Sequence, residues 1–324
     1  MVGRAEAGRL GGCGALSPQF ACQDTQTHHH CGAGGKERAR GACAPGEGPL
    51  RVVDSLFICG AGHSGSTLLG MVLGGAPGAF YAGEAAKVRY LHDASKPLRK
   101  RACKICGEDC PVWGGFHPDP DAPLHAQIAD RTGATLVIDS TKRPDWIEAR
   151  AGEARAAGGR AGLIFLKRDG RAVINSRIRK YPGRDPAAQI GQWIDQMAQA
   201  EALFARFEGP KLAVRYEAFA TDPEAEVRRI CAALGLAFDP SMLDYEARAH
   251  HPLGGNSGTQ FVAARAASPA VELGASRRAY YAGHPGGIRL DQRWTQELSR
   301  AHRALFETLA GEINAAYRWD LVES

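Results

Sequence analysis

The segment VVDSLFICGAGHSGSTLLGMVL, residues 52–73, contains three successive patterns that decide the fold. Residues 52–59 form a short apolar run, which is typical of a strand buried in a parallel sheet. The small, glycine-rich residues that follow lead into a helical pattern from Thr67 to Leu73. A strand, a glycine loop and a helix in this order predict a cradle whose backbone N–H groups face an anion. A plain strand-to-helix turn is the alternative interpretation.

Strands and helices alternate along the chain, which predicts an α/β fold. Three further buried strands are indicated by apolar runs at residues 136–138, 163–166 and 211–214. A helical apolar period between 190 and 207, and helix-start signals at Asp222 and Ser299, predict helices between and after these strands. We therefore predict that residues 51–324 form one domain with a central parallel sheet of the P-loop type and helices on both faces. Ligands of such sheets bind at the carboxyl ends of the strands.

Residues 1–50 differ from the rest because they are rich in glycine, alanine, cysteine and charge and show no apolar period. We predict that they form a disordered extension, although His28, His29, His30 and Cys31 would also suit a metal ion. The net charge of +5 is too small to predict nucleic-acid binding. No apolar run reaches the roughly 18 residues that span a bilayer, and no signal peptide is recognisable. The expected compartment is the cytoplasm, where the nine cysteines stay mostly reduced.

The glycine loop differs from a nucleoside-triphosphatase loop at one decisive position. Gly60 and Gly65 have the spacing of the GxxxxGK[ST] pattern, and Thr67 matches its last residue. Ser66, however, stands where that pattern needs the lysine that reaches the β- and γ-phosphates. This difference argues against ATP or GTP chemistry. The cationic partner expected inside the loop is His63, which donates a hydrogen bond when neutral and also neutralises charge when protonated.

A second candidate phosphate site lies where the strand at 163–166 passes into a helix. Arg168 ends the strand, and Ser176 follows eight residues later. The planar, permanently charged guanidinium and the short hydroxyl are the donors that a phosphate requires. An ordinary basic surface helix is the alternative, since Arg171 and Arg177 lie nearby.

Residues 60–69, GAGHSGSTLL, resemble the 5′-phosphosulfate loop of the sulfotransferases that use PAPS (3′-phosphoadenosine 5′-phosphosulfate). Arg168 and Ser176 resemble the 3′-phosphate motif of the same family. The similarity covers most of residues 52–324 and includes bacterial members, although the family usually has Lys or Arg at the position of His63. It implies PAPS as donor, PAP as product and no required metal ion. The donor contacts that it implies are Gly62, His63, Ser64, Gly65, Ser66, Thr67, Leu68, Arg168, Ser176 and Tyr216.

Further stretches resemble the same family less specifically. Residues 215–217 (RYE) are similar to a family segment, which suggests Tyr216 near the adenosine, with a buried structural tyrosine as the alternative. Residues 254–256 and 288–294 resemble C-terminal stretches of bacterial members. In the family this region often wraps over the nucleotide.

Sulfuryl transfer needs in-line positioning, donors toward the developing charge and a base for the acceptor proton. Glu84 is the first candidate base, because several branches of the family have a glutamate in a comparable segment; an exposed acidic loop residue is the alternative. His92 and Asp139 are the other candidates, and Asp139 alternatively caps the following helix. Lys142 lies in a DSTK stretch that resembles bacterial members, which suggests contact with the sulfuryl oxygens or a simple surface lysine.

A CxxC pair formed by Cys103 and Cys106, with Cys110 close behind, offers three ligands for zinc. The fourth ligand would have to be His92, His117 or His125. Free thiols or a redox-labile pair are the favoured interpretation. The cysteines lie in residues 85–130, which we predict to be a variable insertion on the acceptor side, since loops at strand ends diversify most.

These patterns together predict an enzyme that transfers a sulfuryl group to a hydroxyl or amine of a small-molecule or glycan acceptor. The acceptor itself and the oligomeric state stay open. A P-loop kinase of a small metabolite is one alternative, because residues 136–139 resemble a strand that ends in a Mg²⁺-linked aspartate. A non-catalytic nucleotide-binding relative is another.

Overall fold

The computed structural model describes residues 52–265, 273, 275–283 and 286–319. The chain divides into two units, Met1–Gly48 and Pro49–Ser324, and every described residue lies in the second. The predicted extension at residues 1–50 therefore lies outside the described residues.

Five parallel strands form the central sheet. They are β1 (Asp54–Cys59), β2 (Ala79–Gly83), β3 (Leu136–Asp139), β4 (Ala161–Lys167) and β5 (Lys211–Arg215). The strand order is β2-β3-β1-β4-β5, so β1 occupies the centre and pairs Phe57 with Asp139 on one side and Cys59 with Phe165 on the other. The α/β fold and the four predicted strands are confirmed. The edge strand β2 was not predicted, because its sequence AFYAG contains two alanines and a glycine and no β-branched residue.

Helices connect the strands. They are α1 (Ser66–Leu73), α2 (Leu98–Arg101), α3 (Leu124–Thr132), α4 (Pro144–Ala156), α5 (Gly170–Lys180), α6 (Pro186–Arg206), α7 (Tyr216–Thr221), α8 (Pro223–Leu234), α9 (Ser257–Ala264), α10 (Ala275–Ala282), α11 (Trp294–Glu297) and α12 (Arg300–Asn314), with 3-10 helices at Ala85–Tyr90, Pro240–Leu243 and Tyr245–Ala247. The predicted helix starts are confirmed, since Asp222 accepts a hydrogen bond from the Ala225 N–H and Ser299 from the His302 N–H. Among the described helices, none has the length and apolarity needed to cross a membrane.

Both faces of the sheet are covered. Successive side chains of a strand point to opposite faces, so Leu56 and Ile58 of β1 pack against α1, α7 and α8, whereas Phe57 and Cys59 pack against α4, α5, α6 and α12. All four side chains are at most 2% exposed. The prediction of helices on both faces is confirmed.

The connection between β2 and β3 contains the predicted insertion and has an apolar cluster of its own. Trp113 is buried there among side chains that include Ala82 and Val137 of the sheet. A segment from later in the chain lies beside the end of β2, because Leu253 forms a parallel bridge with Gly83. Gly83 has a φ of 82°, and a Cβ there would lie 2.3 Å from the Leu253 carbonyl oxygen, so the close approach requires glycine.

Candidate active site

A cavity of about 1280 Å³ opens at the carboxyl ends of the strands. Each strand is followed by a residue that lines it: His63 after β1, Glu84 after β2, Lys142 after β3, Arg168 after β4 and Tyr216 after β5. The convergence follows from the parallel arrangement, which brings all five carboxyl ends to one edge. All five were candidate site residues in the sequence analysis. The structure brings these residues, which come from separate motifs, together in one cavity.

The loop between β1 and α1 forms an anion-binding end of this cavity. Gly65 has a φ of 95°, and a Cβ there would lie 2.6 Å from Cδ2 of Tyr216, so only glycine fits. The N–H groups in the first turn of α1, at Ser66, Thr67 and Leu68, have no acceptor within the helix. None of the other described residues accepts from them either. Free N–H groups at a helix N-terminus attract anions.

His63 connects this loop to α5. Its Nδ1 lies 2.9 Å from the Ser176 hydroxyl oxygen, and its carbonyl oxygen accepts a 3.0 Å hydrogen bond from Arg168. The φ of 77° places His63 in the left-handed region, which costs a non-glycine residue on the order of 1 kcal/mol and is found most often at functional sites. Burial, together with the charges of Lys180 and Arg177, lowers the pKa of His63 to about 3. The imidazole of the ligand-free protein is therefore neutral at neutral pH.

Arg168 is held rigidly with its charge facing the cavity. Its side chain is 7% exposed, and its guanidinium carbon lies 4.1 Å from the centre of the Tyr216 ring. One guanidinium nitrogen donates to the Asp291 carbonyl oxygen over 3.1 Å and lies 3.3 Å from the Asp291 carboxylate. Its Nε is buried and has no partner among the described residues.

Two residues of the predicted loop do not line the cavity. The Gly62 N–H donates to the side chain of Gln196 over 3.0 Å, and the Gly62 carbonyl accepts from Arg177. Gly62 therefore faces α5 and α6 rather than the cavity. Ser64 is 1% exposed, and its hydroxyl finds no partner within the part of the chain that is described. Gly65, Ser66, Thr67 and Leu68 all line the cavity, as does Ser176.

Glu84 lies between two lysines at the cavity wall. One carboxylate oxygen is 2.6 Å from Lys87 Nζ, and the other is 4.0 Å from Lys142 Nζ. Burial raises the pKa of Glu84, but the charges of Lys142 and Lys87 outweigh it and leave the pKa below its ordinary value. Burial also lowers the pKa of Lys142, against the attraction of Glu84. Glu84 is therefore ionised at neutral pH, in the form that a base requires.

The other two candidate bases lie outside the cavity. Asp139 is fully buried and accepts hydrogen bonds from the N–H groups of Ala85 and Thr141 and from the indole of Trp146. It does not cap the following helix, since Arg143 holds the N-cap position of α4. His92 is bonded to the Phe116 carbonyl and does not line the cavity. Both oxygens of the Asp139 carboxylate are hydrogen-bonded inside the protein and the side chain does not line the cavity, so it does not reach an acceptor there.

The cavity is strongly cationic. Of the described residues that line it, ten are Lys or Arg and two are acidic, namely Glu84 and Asp291. The sequence analysis singled out Lys142 and Arg168 and the stretch that contains Arg289 and Arg293. It missed the other six cations of the cavity, which are Lys87, Arg99, Lys100, Lys104, Lys180 and Arg184. Lys180 carried a signal, because it lies one helical turn after Ser176 on α5. No sequence signal indicated Lys104, because its position depends on contacts with Gly255 and Ser257, which follow it in the chain by 151 and 153 positions.

The two C-terminal stretches that resembled bacterial members also line the cavity. Gly255 and Asn256 lie beside the cradle, where the Asn256 N–H donates to the Thr67 hydroxyl over 2.9 Å. Residues 289–293 line the side next to Arg168. The Tyr216 hydroxyl donates to the Arg289 carbonyl, so Tyr216 supports both Arg168 and this stretch.

The cysteine cluster has a different histidine from those expected. Cys103, Cys106 and Cys110 converge with His251, and their ligand atoms all lie within 4.8 Å of one another. The three histidines named from the sequence are elsewhere: His92 and His117 stack on each other, and His125 contacts Ser55 and Asp139. His251 was not predicted, because it lies 141 residues from Cys110 in the sequence.

Several solved structures resemble this chain at low sequence identity. The sulfotransferase domain from the curacin biosynthetic pathway is 17% identical, with 80% of this chain and 98% of that chain covered and a TM-score of 0.45. The corresponding domain of the Synechococcus olefin synthase is 18% identical, with 86% and 98% covered and a TM-score of 0.47. A mouse sulfotransferase complexed with PAP is 13% identical, with 82% and 89% covered and a TM-score of 0.45. No curated protein sequence matches the chain.

A family model provides the decisive comparison. The model described as the sulfotransferase family matches residues 55–240, which include the cradle, Glu84, Arg168 and Ser176. This match spans more than half of the chain, and the chain therefore belongs to the sulfotransferase family, whose chemistry is the transfer of a sulfuryl group.

Proposed function

We propose that this sulfotransferase takes its sulfuryl group from PAPS and transfers it to a hydroxyl or amine of a negatively charged acceptor. The observation that carries the proposal is the pairing of two separate anion sites in one cavity. The first is the N-terminus of α1 with His63, and the second is Arg168 with Ser176. A donor with a 5′-phosphosulfate and a 3′-phosphate needs two such sites.

Each anion site has donors that suit its expected group. The free N–H groups of Ser66, Thr67 and Leu68 would hold the 5′-phosphosulfate. Arg168 would hold the 3′-phosphate through a charge-assisted hydrogen bond, supported by its stacking on Tyr216. The mouse sulfotransferase complexed with PAP, a relative in fold, agrees with this choice of nucleotide.

The proposed reaction is an in-line displacement. The acceptor oxygen or nitrogen forms a bond to sulfur while the bond between sulfur and the donor's phosphate oxygen breaks, and PAP leaves with that electron pair. Glu84 removes the acceptor proton. When the Ser176 hydroxyl donates to Nδ1 of His63, the imidazole carries its proton on Nε2, where it can donate to the leaving oxygen. The one Ser176 proton is then used by His63, and Arg168 is the donor to the 3′-phosphate. Lys142, 4.0 Å from Glu84, would contact the sulfuryl oxygens. This scheme needs no metal ion.

The charge of the acceptor follows from cations that the donor does not need. Lys87, Arg99, Lys100 and Lys104 line the cavity from the insertion, on the same side as Glu84. Lys87 already pairs with Glu84, but a neutral acceptor would leave Arg99, Lys100 and Lys104 without an anionic partner among the described residues. An acceptor with a carboxylate, phosphate or sulfate group would pair with them and would be attracted from a distance.

The kinase alternative is not favoured. Asp139, the residue that would hold Mg²⁺, is fully buried, and both of its carboxylate oxygens accept hydrogen bonds from the protein. Ser66 replaces the lysine that binds the β- and γ-phosphates.

Two measurements test the proposal. PAP is expected to raise the melting temperature without Mg²⁺, whereas ATP with Mg²⁺ is not. Radiolabelled PAPS, offered with matched pairs of neutral and anionic hydroxyl acceptors, is expected to label the anionic member at lower KM. Stabilisation by ATP with Mg²⁺ but not by PAP would contradict the donor. Equal KM values within every pair would contradict only the acceptor charge.

A further inference from the structure

Three cysteines and one histidine form a cluster that does not line the active-site cavity. Cys103, Cys106 and Cys110 come from the insertion, and His251 comes from the segment just before Leu253. Nδ1 of His251 lies 3.1 Å from the Cys106 sulfur and 3.5 Å from the Cys110 sulfur. All four ligand atoms lie within 4.8 Å of one another.

These distances suit one tetrahedral zinc ion. Bonds of about 2.3 Å to sulfur and about 2.0 Å to nitrogen place the ligand atoms of a tetrahedral site roughly 3.5–3.8 Å apart. Thiolate and imidazole ligands favour zinc over magnesium and calcium, which prefer oxygen. The three cysteines are not joined by a disulfide, and Cys103 and Cys110 are buried. Three unpaired thiols around one imidazole are a ligand set without another evident role.

The backbone around the cluster fits the same interpretation. The Gly107 N–H donates to the Cys103 carbonyl over 2.9 Å, which closes a tight turn around Cys106. Gly107 has a φ of 78°, which glycine adopts without strain. The indole of Trp113 donates to the His251 carbonyl and fixes the histidine segment against the insertion.

We propose that Cys103, Cys106, Cys110 and His251 bind a structural zinc ion. Four protein ligands leave no open position for a reacting group, which is typical of a structural rather than a catalytic site. The ion would join the insertion to the segment at 251–256, two parts of the chain that are about 145 residues apart, as the contact between Cys106 and His251 shows.

This link between the insertion and residues 251–256 supports the wall of the active site. Lys104 lies between two of the ligands, and its Nζ reaches the Gly255 carbonyl at 2.7 Å and the Ser257 hydroxyl at 3.0 Å. On the other side of the same segment, the Asn256 N–H donates to Thr67 in the cradle. The zinc ion would therefore position Lys104 and the segment at 254–256 without taking part in the chemistry.

The first test is the zinc content of the full-length protein, measured after dialysis against Zn²⁺ and removal of the excess. One zinc per chain is expected in wild type and less than about a tenth of that in Cys106→Ser and His251→Ala, because loss of one ligand opens the site. Cys31→Ser is the matched control for the histidine-rich N-terminal stretch and is expected to retain zinc. Loss of zinc in Cys31→Ser alone, or no zinc in wild type, would overturn the proposal.

A second test uses wild type alone and therefore does not depend on the folding of variants. Alkylation mapped by mass spectrometry is expected to modify Cys103, Cys106 and Cys110 only after treatment with a zinc chelator. The melting temperature is expected to fall with the chelator and to return when Zn²⁺ is added. Identical alkylation of the three cysteines with and without the chelator would overturn the proposal, as would a disulfide among them.

Discussion

The imidazole of His63 and the hydroxyl of Ser176 lie 2.9 Å apart, although 113 residues separate them in the sequence. The contact joins the loop after β1 to α5, and so joins the two proposed phosphate sites. Each side chain fixes the orientation of the other. A change at either position is therefore expected to affect both ends of the donor.

The first prediction concerns pH. Because burial and the neighbouring cations lower the pKa of His63 to about 3, the side chain is neutral between about pH 5 and 8, where an ordinary histidine titrates. His63→Gln is neutral as well. The dissociation constant of PAP, measured by calorimetry across this range, is expected to follow parallel pH profiles in the two proteins. Binding that tightens with falling pH in wild type alone would show that the nucleotide raises the pKa of His63 into this range.

The second prediction concerns Arg168. Arg168→Ala is expected to weaken PAP binding by about 2–4 kcal/mol, because it removes a buried, charge-assisted contact. The matched control is Arg179→Ala, since Arg179 is an exposed arginine of α5 that pairs with Glu297 and does not line the cavity. Calorimetric titration should give nearly the wild-type affinity for the control. Equal PAP affinities for Arg168→Ala and wild type would contradict the assignment of Arg168 to the 3′-phosphate site.

The third prediction concerns the base. Glu84→Gln is expected to lower kcat by roughly 10²–10⁴-fold while the PAP affinity stays close to that of wild type. Since Lys142 and Lys87 hold the pKa of Glu84 below its ordinary value of 4.5 in the ligand-free protein, the acidic limb of the wild-type kcat/KM profile should lie below that pH. This profile is measured at PAPS concentrations below KM. Asp93→Asn, an exposed change in the insertion outside the cavity, is the control. Unchanged turnover in Glu84→Gln would require another base.

The fourth prediction concerns the N-terminal unit. Removal of residues 1–48 is expected to leave the melting temperature and the PAP affinity unchanged, because that stretch has no apolar face that would contribute to a core. Thermal unfolding and calorimetry of the shortened chain measure both quantities. An insoluble or unfolded product would show that the stretch contributes to folding.

The sequence predicted those features that depend on residues close together in the chain. The strand, loop and helix at 52–73 were predicted correctly because their signals are local, and Arg168 was found at the end of a predicted strand. Glu84 was chosen through the family resemblance, since β2 was not predicted. Neither role considered for Asp139, base or helix cap, fits its contacts, because the Ala85 N–H that it binds belongs to another element, 54 residues away. His251 was missed for the same reason. Contacts of long sequence separation arise from packing, and a single sequence contains no direct record of them.

The excess of positive charge around the cavity also has a consequence for the protein without its ligands. Like charges repel one another, so the ligand-free fold forms at an electrostatic cost that bound anions relieve. Added salt screens this repulsion and so stabilises the ligand-free fold. The same salt also weakens the surface ion pairs, which has the opposite effect on stability. Sulfate and phosphate ions in a buffer would occupy the same surface and compete with the nucleotide. Affinities measured in such buffers would therefore understate the attraction between this protein and its substrates.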